Sequence, residues 1–180
     1  MKSLATIHDI RAVLSRTPAT LGALLDGLDP ALARAPYGPG TWSAHEVVAH
    51  LIFAERTDWL PRLRHILAHG DAAPFAPFDR AGHADLASGH SLPELLDLFA
   101  AERSSGLAAL DALRLTEADL ARAGLHPALG PVTVGHLLHT WAAHDLNHIA
   151  QVCKALAFQF GDGAGPWCAY LSILSPPNPR

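Results

Sequence analysis

Twelve histidines in a chain of 180 residues carry most of its chemical potential, and two of them, His144 and His148, stand four apart. On a helix this spacing sets the rings about 40° apart around the axis and about 6 Å apart along it, so both imidazoles reach one ion. Random placement of so many histidines already yields about one such pair, a false-positive risk that any short motif must beat, and His65 with His69 makes another. Context separates the two pairs. Leu137, Trp141, His144, His148 and Val152 trace one 4-3-4-4 stripe, which puts the histidines where a core leucine is expected. His65 and His69 instead follow Arg62 and Arg64 near a helix end, where cations complement the partial negative charge and face solvent. Two inward polar rings need partners, since an unsatisfied buried polar group costs roughly 1–3 kcal/mol. His50 is the best third ligand: it lies one turn beyond Glu46 and aligns with Val47 and Ala54 on an inward face.

Other residues qualify for supporting parts. Glu46 is the candidate catalytic base, one helical turn from His50, although Ser43-Ala44-His45-Glu46 also fits a capping box that explains it structurally. Asp145 reads as a polar flank. His45 is turned about 140° from His50, and His136 about 80° from His144, so the latter is placed at a pocket rim. His83 and His90, with Phe75 and Phe78, fall in a long loop where they would cover a substrate. Thus His83, His90 and His136 are the candidate substrate contacts. Trp42, Trp59, Trp141 and Trp167 read as core or interface residues. Cys153 and Cys168 form no C-x-x-C and read as reduced thiols.

The elements that must position these residues are helical. Apolar residues recur at three- and four-residue spacing, and no alternating strand or hairpin signal stands out, so the expectation is an all-α four-helix bundle with long connections. The first helical region runs from about Leu4 to Leu28, with a break expected at Thr17-Pro18. The second begins near Ala44 behind its capping box and runs to about His69, with a kink at Pro61 and Gly70 as terminator. Residues 70–90 form a long loop, a candidate lid. Ser91-Leu92-Pro93-Glu94 opens a third helix to about Leu113, and Thr116 to Ala123 adds a turn ended by Gly124. Thr133 caps a fourth helix through Phe160, followed by a Pro-rich tail over 164–180.

Composition narrows the function classes. A chain of this length is one domain's worth, here read as residues 1–180. With 49% hydrophobic and 17% charged residues it folds by its core rather than remaining disordered. A formal charge of −4 and no dense Lys/Arg run argue against nucleic acid. No stretch is long and uncharged enough to span a membrane, and the first residues lack a signal-peptide core, so a cytoplasmic protein is expected.

Trp42-Ser43, Glu46 and His50-Leu51 early in the second helix, together with His144-Asp145-Leu146-Asn147-His148 and Gln151 in the fourth, resemble the DinB-like superfamily. The resemblance covers nearly the whole chain. It implies a four-helix bundle in which one histidine of the second helix and an H-x-x-x-H pair of the fourth, here His50, His144 and His148, bind one divalent metal ion, commonly in a homodimer. It also implies a possible small-molecule activity, because related proteins use low-molecular-weight thiols as S-transferases or isomerases. Three neutral imidazoles leave a coordination position open, and metal coordination turns a thiol cosubstrate into a nucleophilic thiolate, whereas a hydrolase would activate water there. Imidazole ligands suit zinc or nickel best. The alternative is a non-enzymatic metal-binding or stress-response module.

Overall fold

The computed structural model describes residues 5–175. α1 (Ile7–Leu25) starts on a capping box in which the Thr6 hydroxyl accepts from the Asp9 N–H and the Asp9 carboxylate accepts from the Thr6 N–H. It buries Ile10, Leu14, Thr17, Leu21 and Leu25, a stripe of helical period. Pro18 does not break it, contrary to the sequence expectation; Leu4, where the helix was expected to begin, lies outside the described residues. A proline in mid-helix lacks the N–H that would bond to the carbonyl four residues back, here Leu14. That carbonyl accepts instead from the Arg103 guanidinium at 2.7 Å, so the helix continues with its freed acceptor satisfied.

A short α2 (Pro30–Arg34) leads to α3 (Ala44–Thr57), which opens on the expected capping box: the Glu46 carboxylate accepts from the Ser43 N–H at 2.8 Å. The predicted single kinked helix is instead two. α3 stops at Asp58 and α4 (Trp59–His69) starts anew, with Pro61 in its first turn. First-turn N–H groups have no intrahelical partner, so the proline costs nothing there, and the break moves upstream of it. Part of the loop over 70–90 is also ordered. Its Phe75 N–H donates to the Leu125 carbonyl, and α5 (Ala84–Gly89) packs on α3. The neighbouring Gly82 lies so close to Phe53 that a Cβ would stand 2.2 Å from the ring.

α6 (Leu92–Ala112) follows its Ser91/Glu94 capping box. The helical expectation holds for the fold, with one local addition ahead of the last long helix: β1 (Ala123–His126) and β2 (Gly130–Thr133) form a short antiparallel hairpin. Gly130 has φ of 77°, the left-handed conformation that closes a three-residue hairpin loop. Four-residue strands, one containing Pro131, carry too short an alternation to be read against a helical background. α7 (Val134–Phe158) is capped by Thr133, whose hydroxyl accepts from the His136 N–H, and ends two residues before the expected Phe160. The segment from 161 to 175 holds a short α8 (Gly161–Ala164) and 3-10 turns.

The long helices form a four-helix bundle in which α1 packs on α6 and α7, and α3 packs on those same two, so helices consecutive in the chain are not always neighbours. The core is two apolar clusters. One includes Leu14, Leu63, Ile66 and Trp141; the other includes Leu21, Ile52, Phe99 and Val152. Each fully buried side chain of this kind contributes about 1.5–3 kcal/mol. Each of the four long helices also buries polar side chains: Thr17 on α1, His50 and Glu55 on α3, Arg103 on α6, and Asp145 and His148 on α7. Among the described residues no helix is long and apolar enough to cross a membrane.

Candidate metal centre

His50 sits in the second turn of α3, and His144 and His148 lie in mid-α7, so the α3–α7 packing decides whether the three meet. They do. The Nε2 atoms of His50 and His148 each lie 3.1 Å from Nε2 of His144. All three candidate ligand atoms fall within 4.8 Å of one another, the single such cluster of His, Cys, Asp or Glu among the described residues. Nitrogen donors about 2.0–2.1 Å from a tetrahedral ion stand roughly 3.3 Å from each other, so the donor set fits a divalent ion.

Burial disfavours the charged, doubly protonated form of these rings. It pushes the His50 imidazole down to about 3 and that of His144 down to about 2, with the neighbouring rings adding to the effect. His148 is lowered by burial too, against Gln151 and Asp145, which favour its charged form. Neutral imidazoles are the form that binds metal. The His148 Nδ1–H donates to Gln151 Oε1 at 2.8 Å, which fixes the tautomer that turns Nε2 towards the cluster. Nδ1 of His50 and of His144 find no partner among the described residues, and aromatic packing holds those rings instead. Trp42 and Phe78 pack on His50 at centroid distances of 4.7 and 5.7 Å, and Trp59 presents an edge to His144 at 5.0 Å.

The three histidines line a cavity of about 1090 Å³. Its walls combine rings of Trp42, Trp59, Phe75 and Phe78 with polar groups of Thr140, Asn147 and Gln151. Among the described residues Asp58 is the one carboxylate lining it; burial pushes its carboxyl up to about 6 although Arg62 stands 2.6 Å away. Arg62 lies over Phe75, 4.7 Å from the ring centre.

Of the expected substrate contacts, His136 lines this cavity, whereas His83 and His90 do not. His83 is buried in T-shaped ring contacts with Trp42 and His50, because Gly82 lets the loop approach α3. His90 stands at the head of α6, where its Nδ1–H donates to the Leu86 carbonyl and its own carbonyl accepts from His45 Nε2. Glu46 is engaged in the capping box and does not line the cavity. His65 donates to the Ala73 carbonyl and His69 is exposed, apart from the cluster. Asp145 is not a polar flank: it is fully buried and ion-paired with Arg103. Trp42 as a cavity wall, the Asp58–Arg62 pair and Arg103 have no counterpart among the sequence expectations. For Arg103 a signal exists, a lone arginine on the apolar stripe Leu92, Leu95, Phe99, Leu107, Leu110.

Comparisons with known proteins agree with this architecture. The family model of the DinB superfamily matches residues 14–152. YfiT from Bacillus subtilis, described as a probable metal-dependent hydrolase with an unusual four-helix bundle topology, superposes with a TM-score of 0.74 at 21% identity, covering 88% of this chain and 90% of that one. TT2238, described as a four-helix bundle protein, superposes with a TM-score of 0.55 at 23% identity, covering 80% of this chain and 95% of that one. At such identities the likeness is one of fold. No curated protein matches the chain.

Proposed function

This chain belongs to the DinB superfamily, and from that premise we propose that it is a metal-dependent enzyme that transfers or isomerises small molecules with a low-molecular-weight thiol. The observation that carries the reading is the convergence of three uncharged Nε2 donors on the wall of a cavity large enough for organic ligands. Zinc or nickel suits the donors. A divalent ion held there supplies an open Lewis-acid position that favours the thiolate over the thiol.

The chain's own residues do the rest. His50, His144 and His148 bind, and Gln151 keeps His148 in the binding tautomer. Trp42, Trp59 and Phe78 wall the site with apolar surface and limit water around it. His136, Thr140 and Asn147 offer hydrogen bonds to a substrate in the cavity. Asp58, the one carboxylate of the wall, is ion-paired with Arg62, so a reaction whose nucleophile ionises readily suits this site better than one that needs a free carboxylate base. A homodimer is part of the reading, with the exposed Phe160, Trp167 and Tyr170 as available apolar surface.

A second reading, hydrolysis, is supported by the description of YfiT as a probable metal-dependent hydrolase. The test gives metal-loaded protein a panel of physiological thiols with electrophiles, beside a panel of esters and amides. Thiol conjugation that disappears in His50→Ala supports the first reading. Ester or amide cleavage without thiol turnover replaces it with the second, and inactivity on both panels leaves a metal-binding module.

A further inference from the structure

We propose that Arg103 is the positioning residue of the metal centre, a clamp joining all four long helices that sets the α3–α7 register on which the meeting of His50 with His144 and His148 depends. The inference rests on the metal-binding reading above and concerns how the chain holds that site in shape.

Arg103 is 1% exposed. Its Nη1 donates to the Leu14 carbonyl of α1 at 2.7 Å and to Asp145 Oδ2 of α7 at 2.5 Å. Its Nη2 donates to Glu55 Oε1 of α3 at 2.9 Å and to Asp145 Oδ1 at 3.0 Å. Thr17 of α1 donates to Asp145 at 2.6 Å, and Trp141 Nε1–H donates to Glu55 at 3.0 Å. One planar guanidinium thus carries fixed, forked bonds to three other helices, a geometry no ammonium reproduces.

The anchor points flank the ligands. Asp145 follows His144 directly and lies one turn before His148, while Glu55 comes five residues after His50. Trp141, held by Glu55, stacks on Trp59 at 5.7 Å, and Trp59 presents its edge to His144. The α1 anchor depends on Pro18, which leaves the Leu14 carbonyl without its helical donor and open to the guanidinium. Gly106 leaves room for the Glu55 carboxylate, which a Cβ at that position would approach to 3.1 Å. Ligand distances must hold within about 0.2 Å for a metal to bind well. The two packed apolar clusters do not by themselves fix a rotation or slide of α7 against α3, because apolar contacts are non-directional; directional bonds to both helices do.

The test titrates Co²⁺ into metal-free full-length protein and reads its visible spectrum. Arg103→Met strands two buried carboxylates and is expected to unfold or nearly so. The informative variant is therefore the triple Arg103→Met, Glu55→Gln, Asp145→Asn, which removes the charges together, with Thr17→Val as a milder probe and Leu25→Ala as a destabilised control outside the network. We expect the triple variant to bind Co²⁺ about tenfold or more weakly with altered band intensity. Thr17→Val should bind about threefold more weakly, the worth of one hydrogen bond. Leu25→Ala should lower Tm while keeping wild-type affinity. Wild-type affinity and spectrum in folded Thr17→Val and triple variants, or in folded Thr17→Val alone if the triple does not fold, overturn the proposal. A wild-type protein that takes up no Co²⁺ overturns the metal-binding reading itself, a distinguishable result.

Discussion

His50 and His144 are held uncharged by burial, with His148 displaced in the same direction, and this fixes how the metal-free protein answers to acid. Their folded-state pKa values lie below the unfolded 6.5, so between that value and about 3 the unfolded chain binds more protons than the folded one. Stability therefore falls as pH drops through this window. Chemical denaturation from pH 7 to 4 should show the loss, and His144→Leu should reduce it. Asp58 acts with the opposite sign: its folded carboxyl, near 6, lies above the unfolded 3.8, so it costs stability as pH rises between the two. Asp58→Asn should gain on wild type across that interval in the same measurement. At this scale the sequence was informative where a polar residue interrupts an apolar period. His144 and His148 were legible that way, and His50 largely through family resemblance. Asp58, Arg62 and Trp42 were not, because their role comes from a cavity walled by distant segments.

Helix boundaries followed from local chemistry where the chemistry is local. The boxes at Ser43/Glu46 and Ser91/Glu94 started α3 and α6 where their serine and glutamate spacing said they would. Glu46 is read as part of a cap, and two substitutions check this. Glu46→Gln preserves a capping box, so stability and metal content should stay at wild-type level. Ser43→Ala should cost about 1 kcal/mol in denaturation experiments, again with metal content unchanged. Loss of turnover in Glu46→Gln with metal content retained would give Glu46 the part of a base instead. The two prolines misled for tertiary reasons. Pro18 reads as a breaker until the Arg103 donor to Leu14 is known, and Pro61 reads as a kink although the chain breaks at Asp58 so that the ring falls in a first turn. The hairpin at 123–133 was invisible because its strands are short and its pairing is non-local to any helical window.

For the whole molecule, two apolar clusters make the core, and polar side chains buried on all four long helices supply the Arg103 network and the three histidines that could hold a metal ion. The bundle was foreseeable from four periodic segments; the order in which they pack was not, because long connections permit several arrangements. A ligand that binds only the folded state raises stability by about 2.7 kcal/mol at a hundredfold excess over Kd, so Tm should climb with added Zn²⁺ in wild type and not in His50→Ala. Sedimentation should give twice the chain mass if the exposed Phe160, Trp167 and Tyr170 join two copies, and Trp167→Asp should then return a single copy. Metal binding by the three histidines is decided by elemental analysis of purified, reconstituted protein beside the His144→Ala/His148→Ala double variant, with circular dichroism confirming that both are folded. One divalent ion per wild-type chain and none in the variant is the expected result; equal metal content in the two, or no metal in either, rules out a site built on these histidines.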